Sequence, residues 1–160
     1  MKIRVGFGYD VHQLKAGRPC VLGGVIFDSK VGPDGHSDAD VLLHAICDAI
    51  LGAAGLRDIG FHFPNTDTSY KNANSGVLLQ EIIKLVTAKG YSIGNIDATL
   101  VSETPKIAPK ILEMKNSIAS LCNILPDDVG VKATTSERLG FIGREEGIEA
   151  YAVVLLEKEG

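Results

Sequence analysis

The sequence has few cysteines, no long apolar run and no concentration of charge of one sign, and each absence removes a class of function. Cys20, Cys47 and Cys122 are widely spaced, odd in number and in no CxxC pattern. That argues against a disulfide framework and for a reducing compartment, the cytoplasm or its equivalent. Cys47 and Cys122 sit in apolar stretches, where a free thiol packs as a small hydrophobe. No segment approaches the ~18 consecutive apolar residues of a membrane span. Met1-Lys2 leads straight into Ile3-Arg4-Val5 with no apolar leader region, so no membrane partner is expected. The 16 Lys and Arg are scattered among 20 Asp and Glu. Without a basic stripe to neutralise phosphates, nucleic acid is not an expected partner either. No Walker loop is present, and no GxGxxG follows a strand.

What remains is an ordinary globular composition. With 45% hydrophobic residues across 160 positions, the chain can bury one sizeable core, and residues 1–160 read as a single domain. Ile3 to Tyr9 alternates loosely, with β-branched and aromatic residues, as a strand does. A second strand runs from Cys20 to Phe27, interrupted by Gly23-Gly24 as a bulge or a close backbone approach. The turn-rich run from Val31 to His36 reads as a loop. Ser37, with Asp40 three residues on, has the spacing of a helix cap. Val41 to Leu51 then repeats apolar residues at helical intervals before Gly52 and Gly55. Residues 56–74 form a long polar connection of the kind that often carries function. Ser75 caps a second helix with Val77, Leu78, Ile82, Leu85 and Val86 as its buried face, ended by Gly90. Strands are expected over Asn95 to Ser102, Val129 to Thr134 and Ile148 to Lys158. A third helix runs from Thr104-Pro105-Lys106 to about Cys122, with Pro109 in its first turn. The order ββααβαββ predicts an α+β fold with helices packed over one sheet. The last strand, almost continuously apolar, calls for cover on both faces, and a subunit interface would supply the second.

Three groups of residues carry chemistry. Asp10 and His12 lie two apart on an extended segment and so point to one side, with Val11 packed inward. His44 projects from the following helix between Asp40 and Asp48, one turn to either side, both placed to orient its ring. Two imidazoles and a carboxylate suit one divalent ion, zinc foremost, with a fourth coordination position open to substrate. Spacing alone leaves a second reading open, in which the Asp-x-His pair caps a strand end and the two histidines are unrelated. Thr134-Thr135-Ser136-Glu137 follows a strand and precedes Gly140, Gly143 and Arg144. Hydroxyls, amides and a guanidinium suit phosphate oxygens, and Glu137 suits a hard cation such as Mg2+; a capped turn is the plainer reading of the same residues. Finally, Ser102 to Ala108 holds Lys106 between Pro105 and Pro109. It is either a stiffened loop whose backbone could read a flat base or a simple helix entry.

In this order the segments resemble one enzyme family. The carriers are Gly8-Tyr9-Asp10-Val11-His12, His36-Ser37-Asp38-Ala39-Asp40-Val41-Leu42-Leu43-His44-Ala45, Asp48 to Ala53, Asp58-Ile59-Gly60, Phe63-Pro64, and Thr134-Thr135-Ser136-Glu137 with Gly140-Phe141. Along the whole chain they are similar to the 2-C-methyl-D-erythritol 2,4-cyclodiphosphate synthases of non-mevalonate isoprenoid biosynthesis. The resemblance implies a four-stranded mixed sheet covered by helices on one face. It also implies a homotrimer, with active sites between subunits and the sheets lining the threefold interior. In the implied reaction the 2-phosphate of 4-diphosphocytidyl-2-C-methyl-D-erythritol 2-phosphate attacks the β-phosphorus, releasing CMP and leaving a cyclic diphosphate. Such chemistry asks mainly for positioning and charge neutralisation.

The same resemblance implies roles for individual residues. Asp10, His12 and His44 hold one Zn2+ per subunit, and Glu137 helps hold Mg2+ or Mn2+ between the α- and β-phosphates. His36 and Thr135 stabilise the transition state. Asp58, Ile59 and Gly60 meet the ribose. Ser102, Glu103, Thr104, Pro105, Lys106, Ile107, Ala108 and Thr134 form the cytidine and phosphate pocket. His36, Ser37, Phe63, Pro64, Asn65, Thr66 and Asp67 face the methylerythritol side, and Val11, Ser136, Phe141 and Arg144 fall on further substrate-binding positions. Asn65 departs from the Asp of many relatives, keeping a carbonyl acceptor and losing a charge. His62 has no matched role and reads as a surface loop histidine. Two other functions remain compatible with these residues. One is a non-catalytic trimer whose apolar centre captures an isoprenoid diphosphate, anchored by Arg144. The other is zinc-dependent phosphohydrolysis, for which no dedicated base is evident.

Overall fold

The computed structural model describes residues 1–158. Its longest strand, β1 (Lys2–Ala16), extends well past Tyr9 and so carries Asp10 and His12 within the sheet. The expected Cys20-to-Phe27 strand is instead a hairpin of β2 (Cys20–Leu22) and β3 (Val25–Phe27), because Gly23 and Gly24 both adopt positive φ and make a two-residue turn. The run read as a loop contains a short edge strand, β4 (Val31–Pro33), which pairs with the C-terminal end of β1. Helix α1 (Val41–Ala54) follows. Its N-cap is Asp40, not Ser37: the Asp40 side chain accepts from the Leu43 N–H.

The 56–74 connection is not structureless. It folds into a short helix α2 (Ile59–His62) and a 3-10 turn at Thr68–Tyr70. Helix α3 (Ser75–Ala88) is capped by Asn74 rather than Ser75, and it buries Leu78, Leu79, Ile82 and Val86 while leaving Val77 and Leu85 exposed. β5 (Ser92–Val101) comes next. A 3-10 turn containing Pro109 then leads into α4 (Ile111–Cys122), several residues later than the helix expected from Thr104. β6 (Val129–Thr134), a single-turn helix α5 (Gly140–Gly143) and β7 (Gly147–Lys158) complete the chain.

The main sheet has five strands in the order β4-β1-β7-β5-β6, one more than the four expected, because β4 joins the edge of β1. Only β5 and β6 pair in parallel. Residues of α1, α3 and α4 form one continuous core with the inner face of this sheet. The inner positions of β7 (Ile148, Ala150, Ala152, Val154, Leu156) are buried, whereas Val153 on the other face is 43% exposed. Within this chain, therefore, β7 is covered on one face only.

At its glycines, β1 packs directly against the backbone of α1. A Cβ added to Gly6 would lie 1.8 Å from the Ala49 carbonyl oxygen, and one on Gly8 would lie 1.9 Å from that of Ala45. Only glycine lets the helix rest directly on the strand backbone here. Two and four residues beyond Gly8, on the same face, stand Asp10 and His12. Val11 points the other way and is 40% exposed, so it does not pack inward.

Candidate active site

The β1–α1 contact brings three side chains to one point. Asp10 Oδ2 lies 2.9 Å from His12 Nε2 and 3.1 Å from His44 Nδ1, and the two ring nitrogens are 3.2 Å apart. Four ligands around zinc, with bonds of about 2.0 Å to nitrogen or oxygen, stand about 3.3 Å from one another. The three donor atoms thus already form one face of such a tetrahedron. Their side chains are 12–26% exposed, so the fourth position remains reachable. Burial works to raise the Asp10 carboxyl, but hydrogen bonds and charge from His12 and His44 outweigh it and hold it at about 2. Burial likewise works to lower His12, and the Asp10 carboxylate outweighs it and raises the ring.

The groups behind the triad fix which nitrogen faces the centre. His12 Nδ1 lies 2.9 Å from the Asp34 carbonyl oxygen, an acceptor only, so Nδ1 carries a proton and Nε2 is the nitrogen left to face the centre. His44 Nε2 lies 2.9 Å from Ser75 Oγ and 3.3 Å from Ser37 Oγ. The Ser75 hydroxyl in turn donates to Asp38 Oδ1, and the Ser75 N–H donates to Asp38 Oδ2 at 3.0 Å. A carboxylate–hydroxyl–imidazole chain thereby turns Nδ1 of His44 toward Asp10. Asp40 and Asp48 do not orient the ring, contrary to expectation. Asp40 is fully buried and accepts from the N–H groups of Gly23, Gly24 and Leu43. Burial raises its carboxyl above the usual range, and the three N–H donors work against that rise. Asp48 instead accepts from the Ile59 N–H at 2.7 Å and so ties α2 to α1.

The triad opens into a cavity of about 470 Å³ that also presents His36, Ser37, Ile59, Gly60, Phe63, Asn65 and Asp67, all read from the sequence as substrate-facing. Its wall includes Tyr70, whose ring meets Phe63 edge-on at 5.1 Å. Asp67 also caps the Thr68–Tyr70 turn through the Ser69 N–H. Asp58, Pro64 and Thr66 stand on the same loops but do not line the cavity, and Val11 faces away from it. His62 is half-buried in α2, its Nε2 lying 2.8 Å from the Leu56 carbonyl oxygen.

The second set of expected residues gathers elsewhere. The Ser102 N–H donates to the Thr134 carbonyl at 3.0 Å, and Glu103 accepts from the N–H groups of Ser136 and Arg138, fastening the 102–108 loop to the loop after β6. Thr135 Oγ1 accepts from the Glu137 N–H at 3.2 Å, and the Glu137 side chain is exposed. In the sheet, Val11, Glu149, Val101 and Thr134 occupy one row across four strands. At roughly 4.8 Å per strand, Thr134 is about 14 Å from β1. The chain's own Glu137 is therefore not among the clustered donors at Asp10, His12 and His44. Phe141 packs toward Gly147, and Arg144 forms a two-point ion pair with Glu146 at 3.0 and 3.1 Å.

The YgbB family model matches residues 3–157. The chain belongs to the YgbB family. A protein of Phocaeicola vulgatus named 2-C-methyl-D-erythritol 2,4-cyclodiphosphate synthase is 61% identical over 158 residues, spanning 99% of each chain. One of the same name from Methylobacillus flagellatus is 60% identical over 156 residues, 98% of each. Among solved structures, the Plasmodium falciparum IspF CDP complex superposes with a TM-score of 0.87 at 37% identity, covering 99% of this chain and 97% of that one. The bifunctional IspDF of Campylobacter jejuni gives 0.95 at 42% identity, and there the match covers 99% of this chain but 43% of the longer one.

In this YgbB chain, sequence reasoning missed the groups that hold the triad in place. Asp38 reads as first-turn charge, Ser75 as a cap, and Asp34 as a turn residue. The HSD spacing around Ser37 and Asp38 is the one feature that could have pointed to a hydroxyl and a carboxylate behind His44. The Asp34 carbonyl is a main-chain group and leaves no trace in residue identity.

Proposed function

We propose that this chain is a 2-C-methyl-D-erythritol 2,4-cyclodiphosphate synthase of isoprenoid biosynthesis. It converts 4-diphosphocytidyl-2-C-methyl-D-erythritol 2-phosphate to 2-C-methyl-D-erythritol 2,4-cyclodiphosphate and CMP. The observation that carries this reading is the Asp10–His12–His44 face, with donors 2.9–3.2 Å apart, opening on a cavity lined by His36 and Ser37. Full-length relatives of that name at 55–61% identity support it. An oxygen of the 2-phosphate bonds to the β-phosphorus, the bond from that phosphorus to the bridging oxygen breaks, and the electron pair leaves on CMP. The triad would hold Zn2+, which when bound supplies charge neutralisation at a β-phosphate oxygen. Glu137 would hold Mg2+ or Mn2+, whose charge would offset that of the substrate diphosphate. His36 and Thr135 donate hydrogen bonds to the charge that builds on the transferring group. Asp58, Ile59 and Gly60 seat the ribose, and residues 102–108 with Thr134 seat cytosine and phosphate. Phe63 to Asp67 enclose the methylerythritol.

A homotrimer completes the site. The Thr134–Glu137 loop and the triad lie three strands apart in one chain, and a neighbouring copy would bring the two sets together. The outer sheet face supports this, with Ile3, Val5, Phe7, Tyr9 and Val11 between 40% and 66% exposed in one subunit. The centre of such a trimer would be apolar and could take an isoprenoid diphosphate, with Arg144 as phosphate anchor. Three free buried cysteines fit a reducing compartment such as the cytoplasm. Among the described residues, no helix is long and apolar enough to cross a membrane.

Phosphorus NMR of the protein with the cytidylated substrate, Zn2+ and Mg2+ tests the reading. Release of CMP with a cyclic diphosphate is expected. Linear products, or no turnover by metal-replete protein, would overturn it. Native mass measurement should give three chains per particle, and a monomer active at full rate would remove the shared-site geometry. Calorimetry with farnesyl diphosphate, before and after Arg144→Ala, tests the central site.

A further inference from the structure

The loop that carries His36 and Ser37 is held from behind by one side chain. Arg18 follows Gly17 in the link between β1 and β2 and does not line the cavity. Its side chain is 31% exposed. Nε donates to the Pro33 carbonyl at 3.3 Å, and Nη2 donates to the carbonyls of Gly35 and Ser37 at 3.3 and 3.4 Å. The acceptors are alternate residues, so a single planar fork reads every second carbonyl of the loop. From the other side the Asn72 N–H donates to the His36 carbonyl at 2.7 Å. The two sets of bonds grip His36 between them.

The same segment also sets His12. Asp34 lies between two of the carbonyls bound by Arg18, and its own carbonyl is the acceptor for His12 Nδ1. The segments have no slack, since a Cβ on Gly32 would lie 2.2 Å from the Pro19 carbonyl oxygen and 2.5 Å from that of Arg18. Charge is not what Arg18 mainly supplies. Its three acceptors are neutral, and the Asp34 carboxylate, 3.6 Å from Nε, already pairs with Lys15.

We propose that Arg18 is a positioning residue, whose guanidinium fork sets the conformation of loop 33–37 and through it the placement of His36, Ser37 and the His12 ring. The proposal rests on the function stated above, because placement of His36 affects a rate only if this cavity is the active site. A loop displaced by about 1 Å costs on the order of 10²-fold in turnover.

The test compares full-length wild type with Arg18→Ala and Arg18→Lys, measuring kcat and KM separately together with the melting midpoint. Each is repeated with millimolar guanidinium, below denaturing concentration. The expected result is a fall in kcat of about 10–100-fold in both variants. Guanidinium should restore much of the loss in R18A, where it can occupy the vacated space. It should not restore R18K, whose stem fills that space and whose ammonium cannot reach three carbonyls in a plane. A kcat for R18A within about twofold of wild type would overturn the proposal. So would full activity in R18K, or a loss in R18A that guanidinium leaves unchanged. If R18A does not fold, R18K decides, since it keeps both stem and charge. The ring resonance of His36 in 1H–13C spectra separates this proposal from the functional one. It should shift in R18K and R18A, and return with guanidinium in R18A alone. An unchanged resonance overturns the role of Arg18 even if the wild type proves to have a different activity.

Discussion

The two faces of β1 are made from alternate residues of one strand, and they differ in almost every physical respect. Inward stand Gly6, Gly8, Asp10 and His12: two positions without side chains, then two metal-binding types. Outward stand Ile3, Val5, Phe7, Tyr9 and Val11, all large and all at least 40% exposed. The inward glycines let α1 settle on the strand, and that contact sets the short distances from His44 to Asp10 and His12. The outward residues carry no such chemistry. They meet β7 laterally, with the Tyr9 and Tyr151 rings 5.1 Å apart and both hydroxyls donating to Glu149. A period of two thus separates the residues that build a site from those that leave an apolar face exposed.

Breaking the inward face should have the largest effects. His44→Ala removes one of three donors, and turnover should fall by about 10³-fold, since metal polarisation is worth several kcal/mol. Elemental analysis should show the zinc content falling in parallel. Val5→Ser on the outward face should leave zinc at one per subunit, and equal loss in both variants would erase the distinction between the faces. Gly8→Ala attacks the packing directly. Its methyl would meet the Ala45 carbonyl oxygen, a main-chain atom that cannot swing aside. Destabilisation of about 3 kcal/mol is expected, at the upper end for overpacking, and urea unfolding measures it.

The same contrast explains what could be read from residues alone. Asp10 and His12 were legible because a period of two needs no tertiary knowledge, and His44 because it interrupts an apolar helix. Asp40 was misread because, besides capping α1 locally through the Leu43 N–H, its carboxylate is held by the Gly23 and Gly24 N–H groups of the β2–β3 turn, which only the tertiary fold brings to it. β4 was missed because Val31-Gly32-Pro33 has the composition of a loop and becomes a strand only beside the end of β1. Val77 and Leu85 fit a helical stripe, yet they line a second cavity beside Phe63 and Tyr70 instead of entering the core. Ser75 looked like a cap because its hydroxyl partners, His44 and Asp38, lie more than thirty residues away.

A smaller effect sharpens the account of that buried chain. Asp38→Asn keeps the size of the side chain but removes the charge that accepts from Ser75. Asn offers one acceptor oxygen where Asp38 offers two, so the hydroxyl and the N–H of Ser75 cannot both keep their bonds, and the hold on the His44 ring weakens. Zinc affinity should fall about 10–100-fold, as for other groups that orient a ligand from behind. Ser75→Ala should have a similar effect, and the double variant should be no worse than either single one, because both break the same chain. Additive losses, read by competition with a chelator, would mean that the two residues act separately.

The smallest predicted effect lies on the outward face and depends on pH. Burial, then the Glu149 carboxylate, raises the Tyr9 phenol to about 12. An unfolded tyrosine ionises near 10. Between these values the folded chain keeps a proton that the unfolded chain has lost, so stability falls as pH rises from about 10 to 12. Below 10 the Tyr9–Glu149 bond contributes in full. Tyr9→Phe has no such proton, and its stability should lack this part of the slope. Because Tyr9 is 41% exposed and Tyr151 still donates to Glu149, the cost of Tyr9→Phe at pH 8 should stay within about 0.5 kcal/mol. Urea midpoints for the two proteins should therefore differ slightly at pH 8 and converge as pH rises above 10. A gap that widens with pH would reverse the sign and show that Tyr9 is held as the phenolate. A gap of several kcal/mol at pH 8 would show that the outward face, like the inward one, is essential to folding of the subunit.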